Sequence, residues 1–342
     1  MKAIIFNAHG GPEVLKFTDV PDPTIRSNEV LVRVKACALN HLDVWVRLGL
    51  PGVPIPLPHI PGSDVSGEIA QIGADVTTVR AGQKVVLAPG VTCGKCPACV
   101  AGQDNHCRQF TNLGYLIDGG YAEFVRAPEV NCLPYPENLS FEEAASIPLV
   151  FQTAWHMLLA RAELQPGEDV LVLGAGSGVG SAAIQIAKFF GARVIATAGS
   201  DEKLQKAKQL GADHLINHKT QKIRDEVRRI TNKRGVDVVF EHVGTAAWDD
   251  SLASLAAGGR LVTCGATTGY DAKVDLRFLF TRQLSLLGSY MGTKSELHSL
   301  MRLVASGRFK PIVDRVFALA EAAAAHSYLE SSSQFGKVVL RI

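Results

Sequence analysis

The chain has 342 residues, 47% of them hydrophobic and 20% charged, with 35 Lys and Arg against 33 Asp and Glu. That length exceeds one compact core and suits two domains of roughly 100–200 residues each. The balanced charge provides no field for nucleic acid or a membrane surface, so a small-molecule partner is expected. The opening MKAIIFNAHGGPEV lacks the longer apolar segment of a secretory signal, and no stretch reaches the ~18 consecutive apolar residues of a spanning helix. A cytoplasmic protein without a membrane partner is expected.

The first 130 residues read as short strands between turn residues: KAIIFN, EVLVRVKACAL, SGEIAQIG, QKVVLAP and YAEFVRA. Their alternation and Val and Ile content predict a β-rich domain. Within it, Cys93, Cys96, Cys99 and Cys107 form C-x2-C-x2-C-x7-C in a loop punctuated by Gly and Pro. Reducing cytosol disfavours disulfides, whereas four thiolates make a closed tetrahedral set for a structural zinc, with no position left for substrate. Cys37, Cys132 and Cys264 lie apart in apolar strands and are expected in the core.

Near residue 140 the texture changes. LSFEEAASIPLVFQTAWHMLLARA carries apolar residues at helical spacing behind Ser140, which has an acidic residue three positions on, a capping pattern. The domain boundary is placed there: residues 1–150 with a zinc lobe at about 90–110, then 151–292, then 293–342 returning to the first domain.

From residue 168 apolar β-runs alternate with helical stretches, beginning EDVLVLGA, VGSAAIQIAKFFG, ARVIATAG and DEKLQKAKQLG. Such alternation implies an α/β fold with a doubly wound parallel sheet covered on both faces. Between the first strand and helix runs Gly174-Ala175-Gly176-Ser177-Gly178-Val179-Gly180. Glycines there permit a tight turn, close approach of backbone to a pyrophosphate, and close helix packing, so Gly176, Ser177, Gly178, Val179 and Gly180 are candidate dinucleotide-binding residues. The next strand ends Thr197-Ala198-Gly199-Ser200, without the acid that holds the ribose diol of NAD. Ser200 and Lys203 suit a 2′-phosphate instead, although Asp201 and Glu202 beside them oppose it. NADP is therefore expected, with NAD the alternative. The apolar run Gln283–Tyr290 reads as a final edge strand, a pairing template that implies a homodimer or homotetramer.

The cysteine loop, GAGSGVG, the opening GGPEVL and the closing FGKVVL resemble the medium-chain dehydrogenase/reductase superfamily over nearly the whole chain. The resemblance implies a GroES-like β-domain beside a Rossmann domain, and an NAD(P)-dependent oxidoreductase in which Thr153 contacts the nicotinamide. Zinc alcohol dehydrogenases of this superfamily take catalytic ligands from a Cys after the N-terminal strand, the His-Glu pair of PGHE and a Cys before the cofactor domain. This chain has Asn40, Ser63-Asp64 and about Leu149 there, and Leu42 and Trp45 where the proton relay would stand. Asn40-His41-Leu42-Asp43 is similar to the quinone oxidoreductase branch, which usually lacks the cysteine loop.

The resemblance implies Asn40 as an amide donor to a substrate carbonyl and His41 as a pyrophosphate contact or proton donor; the alternatives are a turn residue and a structural histidine. Asp43 and Asp64 are expected as buried partners of an arginine such as Arg47 or Arg341. The expected reaction is hydride transfer to or from a carbonyl, quinone or activated alkene without catalytic zinc. Two alternatives stand beside it: a zinc-type alcohol or aldehyde dehydrogenase with an atypical metal site, and a dinucleotide-binding protein without turnover.

Overall fold

In the computed structural model, which describes residues 1–342, the ten residues Glu29–Ala38 form the strand around which the first of two units is organised. That unit comprises Met1–Leu149 and Thr293–Ile342. Its main sheet runs in the order Val313–Ala318, Lys337–Arg341, Glu29–Ala38, Asp64–Ile72, Lys84–Leu87 and Cys132–Pro134, with Phe124–Pro128 also paired to Glu29–Ala38. The inward positions of Glu29–Ala38 are filled by Val30, Val32, Val34 and Cys37, all buried against Ile4, Phe6, Val65, Ile69 and Leu340. Cys37 thus lies in the core as expected, whereas Cys132 and Cys264 are only half-buried.

Register carries a functional consequence. Val339 stands opposite Ala38 in the antiparallel pairing of the C-terminal strand, and Asp64 stands opposite Ala38 on the other side. Two residues further along, Lys337 and Asn40 fall across from one another at the same end of the sheet. Sequence separations of hundreds of residues therefore collapse to side-chain contact.

The LSFEEAASIPLVFQTAWHMLLARA segment is not one helix. Ser140 caps Phe141–Ala145, accepting from Glu143 N while Glu143 reaches back to Ser140 N. A second helix then starts at Pro148, where a missing N–H costs nothing, and passes into a π-helix at His156–Arg161.

The second unit, Val150–Gly292, is a parallel sheet ordered His214–Asn217, Arg193–Ala198, Asp169–Val172, Val236–Glu241, Leu255–Thr263 and Ser285–Gly288. Val170, Leu171 and Val172 are buried on both faces, which explains their uninterrupted apolar run. Chain order reverses between Asp169–Val172 and Val236–Glu241, and ligands of such sheets bind beyond the carboxyl ends of the strands at that reversal. The fifth strand begins at Leu255: Leu255 and Ala256 are buried, Leu255 pairs with Val236, and the register shift that follows admits the extra residues. Ser285–Gly288 lies at the sheet edge. No helix is long and apolar enough to cross a membrane.

Candidate functional site

In the second unit the turn after Asp169–Val172 is held from below. Gly174 adopts a φ of +57°, and a Cβ on Gly180 would come within 2.4 Å of Gly174 O, so the helix Gly178–Phe189 approaches the turn as only glycine allows. Ser177 caps that helix, its Oγ accepting from Gly180 N at 2.9 Å. His242 Nε2 lies 2.9 Å from Leu173 O. A carbonyl accepts, so this nitrogen carries the proton and braces the turn, and burial holds the ring's pKa below its usual range. Gly176, Ser177, Gly178, Val179 and Gly180 thus sit at a helix N-terminus at the sheet's reversal, a setting that fits a pyrophosphate. Thr153 fits a ligand in another way: its Oγ1 is buried and has no hydrogen-bond partner.

Cations gather where Arg193–Ala198 ends. His218 Nε2 and Lys219 Cε press on Gly199, lying 3.1 and 3.2 Å from where its Cβ would be, and Ser200 caps the following helix. Burial, with Lys219 and Lys203 nearby, lowers the pKa of His218. The two acids that oppose a phosphate are directed elsewhere: Asp201 accepts from Asn217 Nδ2 at 2.8 Å and Glu202 pairs with Lys206 at 2.8 Å. Sequence reasoning missed His218 and Lys219 because they belong to a different strand end, brought alongside by the pairing of Ala198 with Asn217.

In the first unit the sulfurs of Cys93, Cys96, Cys99 and Cys107 lie within 4.8 Å of one another. Cys96 and Cys99 are 3.5 Å apart and Cys93 and Cys107 3.6 Å, close to the ~3.8 Å edge of a tetrahedron with 2.3 Å zinc–sulfur bonds. Backbone N–H groups of Lys95 and Cys96 pull the Cys93 thiol down to about 6, favouring the thiolate a metal needs. These four residues could hold a structural zinc. Lys294 fastens the lobe, with Nζ at 3.0 Å from Asp104 and 3.2 Å from Thr92.

Asn40 precedes the helix His41–Leu48, and its N–H donates to Asp43 Oδ2 at 2.7 Å. Its side chain does not cap that helix. Asn40 Oδ1 accepts from Lys337 Nζ at 2.5 Å, and Asn40 Nδ2 donates to Asp64 Oδ2 at 2.9 Å. Lys337 also donates to Leu39 O at 2.6 Å and Asp64 Oδ2 at 3.0 Å. Its three N–H groups are thereby spent, with 4% of the side chain exposed and none of Asp64. Leu149 N donates to Asp64 Oδ1 at 2.8 Å, and Ser63 Oγ to Leu113 O at 2.7 Å. His41 heads the helix, half-buried, with its ring 6.3 Å from that of Trp45.

The expected arginine partners are corrected by this arrangement. Asp64 pairs with Lys337; Arg341 instead reaches Glu142 at 2.6 Å, and Arg47 reaches Glu330 at 2.8 Å. Arg47 also starts a buried chain of side-chain contacts. Arg47 Nη1 lies 3.2 Å from His326 Nδ1 and can only donate, so His326 Nε2 carries a proton and donates to Tyr121 Oη at 3.2 Å. Burial, and after it the charge of Asp43, raises the pKa of Tyr121. Asp43 also accepts from Gly62 N at 3.1 Å, yet burial pushes its carboxyl up to about 7.

Comparison with known proteins places this geometry. Residues 26–137 match the model of the alcohol dehydrogenase GroES-like domain, and residues 178–306 that of the zinc-binding dehydrogenase. A quinone oxidoreductase of Rattus norvegicus is 32% identical over 348 residues, covering 99% of this chain and 97% of that protein. An alcohol dehydrogenase of Geobacillus stearothermophilus is 36% identical, covering 92% of each. A solved structure described as an NAD-dependent alcohol dehydrogenase superposes with a TM-score of 0.97 at 49% identity, covering all of both chains. The chain belongs to the medium-chain dehydrogenase/reductase superfamily and is an NAD(P)-dependent oxidoreductase.

Proposed function

We propose that this protein reduces a conjugated carbonyl, quinone or activated alkene with NADPH, without a catalytic metal, as a homodimer or homotetramer in the cytoplasm. The observation that carries the reading is the Lys337 cage. At the three positions where zinc alcohol dehydrogenases hold their metal this chain has an amide, a hydroxyl and an aliphatic side chain. The amide oxygen of Asn40 and the carboxylate of Asp64 are already bonded to an ammonium. A divalent cation would meet that charge, and none of the three positions supplies a thiolate or imidazole to offset the repulsion.

The nicotinamide cofactor, when bound, supplies the hydride. Gly176 to Gly180 and the helix they open would take its pyrophosphate, Thr153 Oγ1 its nicotinamide end, and Ser200, Lys203, His218 and Lys219 its 2′-phosphate. Asn40 offers an amide N–H to the oxygen on which charge develops. Deleting one such donor typically costs ~10²–10³ in turnover. Without a Lewis acid, worth several kcal/mol to an alkoxide, simple alcohols are poor substrates, whereas a quinone or enone spreads its own developing charge. His41, at the head of its helix, is the candidate proton donor. The edge strand Ser285–Gly288, with exposed Phe280 and Leu276 nearby, supports self-association.

A second reading, NAD in place of NADP, is favoured by the description of the 49% identical structure as NAD-dependent. Titrating both reduced cofactors, then following their oxidation against quinones, enones and aldehydes, tests the proposal. NADPH is expected to bind at least several-fold tighter than NADH and to reduce the conjugated acceptors faster. Tighter NADH binding establishes the second reading, and turnover confined to simple aldehydes defeats the first.

A further inference from the structure

The Asn40 amide is held by opposite charges on its two ends. Lys337 Nζ, which can only donate, sits 2.5 Å from Oδ1; the Asp64 carboxylate, which accepts, sits 2.9 Å from Nδ2. Rotating the amide by half a turn would set two donors against each other on one side and two acceptors on the other, so the orientation is fixed electrostatically. Lys337 itself has no N–H left for a substrate. Its three go to Leu39 O, Asn40 Oδ1 and Asp64 Oδ2.

Nδ2 has two N–H groups, and they are unequally engaged. One is taken by Asp64. The other faces Ala38 O at 3.4 Å, beyond the 2.7–3.2 Å range of a firm bond. This loosely held N–H is the one able to turn to an oxyanion. An ammonium on the amide oxygen withdraws electron density through the conjugated C–N bond and makes that N–H a stronger donor, as cooperative hydrogen bonding does in low dielectric.

We infer that Lys337 is a positioning residue for catalysis, fixing and polarising the Asn40 amide so that its second N–H meets the charge formed on the substrate oxygen. The inference rests on the proposed role of Asn40. A tethered cation thereby acts at one remove from the substrate, through an amide.

The test is a cycle of variants assayed with NADPH and a quinone. Lys337→Met alone leaves Asp64 buried and unpaired, so the working variant is Lys337→Met with Asp64→Asn, which removes both charges together. Expected is a fall in kcat of about tenfold, less than the ~10²–10³ of deleting a donor outright, with the NADPH Kd unchanged. Adding Asn40→Ala to that pair should cost far less than Asn40→Ala costs the parent, because the residue being polarised is already gone. Should the pair not fold, Lys337→Gln with Asp64→Asn keeps an N–H for Asn40 Oδ1 while removing both charges, and the same fall in kcat is expected.

Parental kcat in either folded variant overturns the role of Lys337, as do effects that simply multiply in the cycle. If Asn40→Ala leaves the parent's kcat unchanged, it is the prior reading of Asn40 that fails.

Discussion

Lys337 and the cations around Ser200 are the same chemistry put to opposite use. Lys337 is buried and every N–H meets an oxygen. Around Gly199, Lys203, Lys219 and His218 crowd together, and burial with the mutual effect of the charges lowers the His218 pKa, while the acids nearby bond elsewhere. A buried charge survives only when fully compensated. Cations at an open strand end, such as Lys203 and Lys219 beside His218, can instead be drawn on by an incoming anion. The first pattern builds a site's framework; the second is where the proposed cofactor's 2′-phosphate would dock.

The largest expected effect follows from breaking the compensated case. Lys337→Met leaves the Asp64 carboxylate with no cation in a fully buried place, and removing one partner of a buried pair costs about 3–5 kcal/mol. Urea denaturation should show a loss of that order, most of it restored by adding Asp64→Asn. A loss under about 1 kcal/mol, or no recovery with Asp64→Asn, would mean that Lys337 and Asp64 do not balance each other's buried charge.

The strand-end cations are tested by Lys203→Ala with Lys219→Ala. Each charge-assisted contact is worth about 1.5–3 kcal/mol, so NADPH binding should weaken about tenfold or more per lysine. NADH, lacking the phosphate, should bind nearly as before. Equal weakening of both cofactors would place these lysines away from any 2′-phosphate.

These two patterns differ in how far they could be read from sequence. The glycine turn, the four cysteines and the strand–helix alternation are local: each is a spacing along the chain, and periodicity or ligand chemistry exposes it. Lys337, His218 and His326 are not. Lys337 stood in FGKVVL as part of a strand ending, and only its antiparallel register against Glu29–Ala38 brings it to Asn40. Asp43 and Asp64 were legible as buried acids because a basic partner must exist somewhere. Which base it was depended on pairings that separations of hundreds of residues conceal. The break at Pro148 was missed for a different reason, since apolar spacing on either side of it continues in phase.

A smaller effect is expected from His326, which burial, followed by the neighbouring Arg47, holds down to about 3 against an ordinary 6.5. Between those values the unfolded chain binds a proton that the folded chain refuses, so stability rises with pH across that window and is lost as pH falls from about 6.5 toward about 3. From pH 7 to 5.5 the loss from this one group is on the order of 1 kcal/mol. His326→Gln should therefore flatten the pH dependence of the urea midpoint in that interval. An unchanged slope would show that His326 titrates freely and that the contacts from Arg47 through His326 to Tyr121 are open.

The smallest effect is expected where the two kinds of positive charge in the first unit are set against each other. Zinc at Cys93, Cys96, Cys99 and Cys107 would be an ion, held by four soft thiolates with no position open to substrate. The charge beside Asn40 is an ammonium on a covalent tether. A chelator can withdraw only the first, and one too weak to compete with four thiolates can withdraw neither. Protein treated with such a chelator should keep about one zinc per chain and unchanged turnover, because no reacting atom depends on an exchangeable metal. Metal analysis beside the assay makes the result interpretable. If zinc content falls from two per chain to one, activity disappears with the fold intact, and added zinc restores it, then a metal works at Asn40, Ser63 and Asp64, and the Lys337 ammonium cannot stand between Asn40 and Asp64 in the active protein.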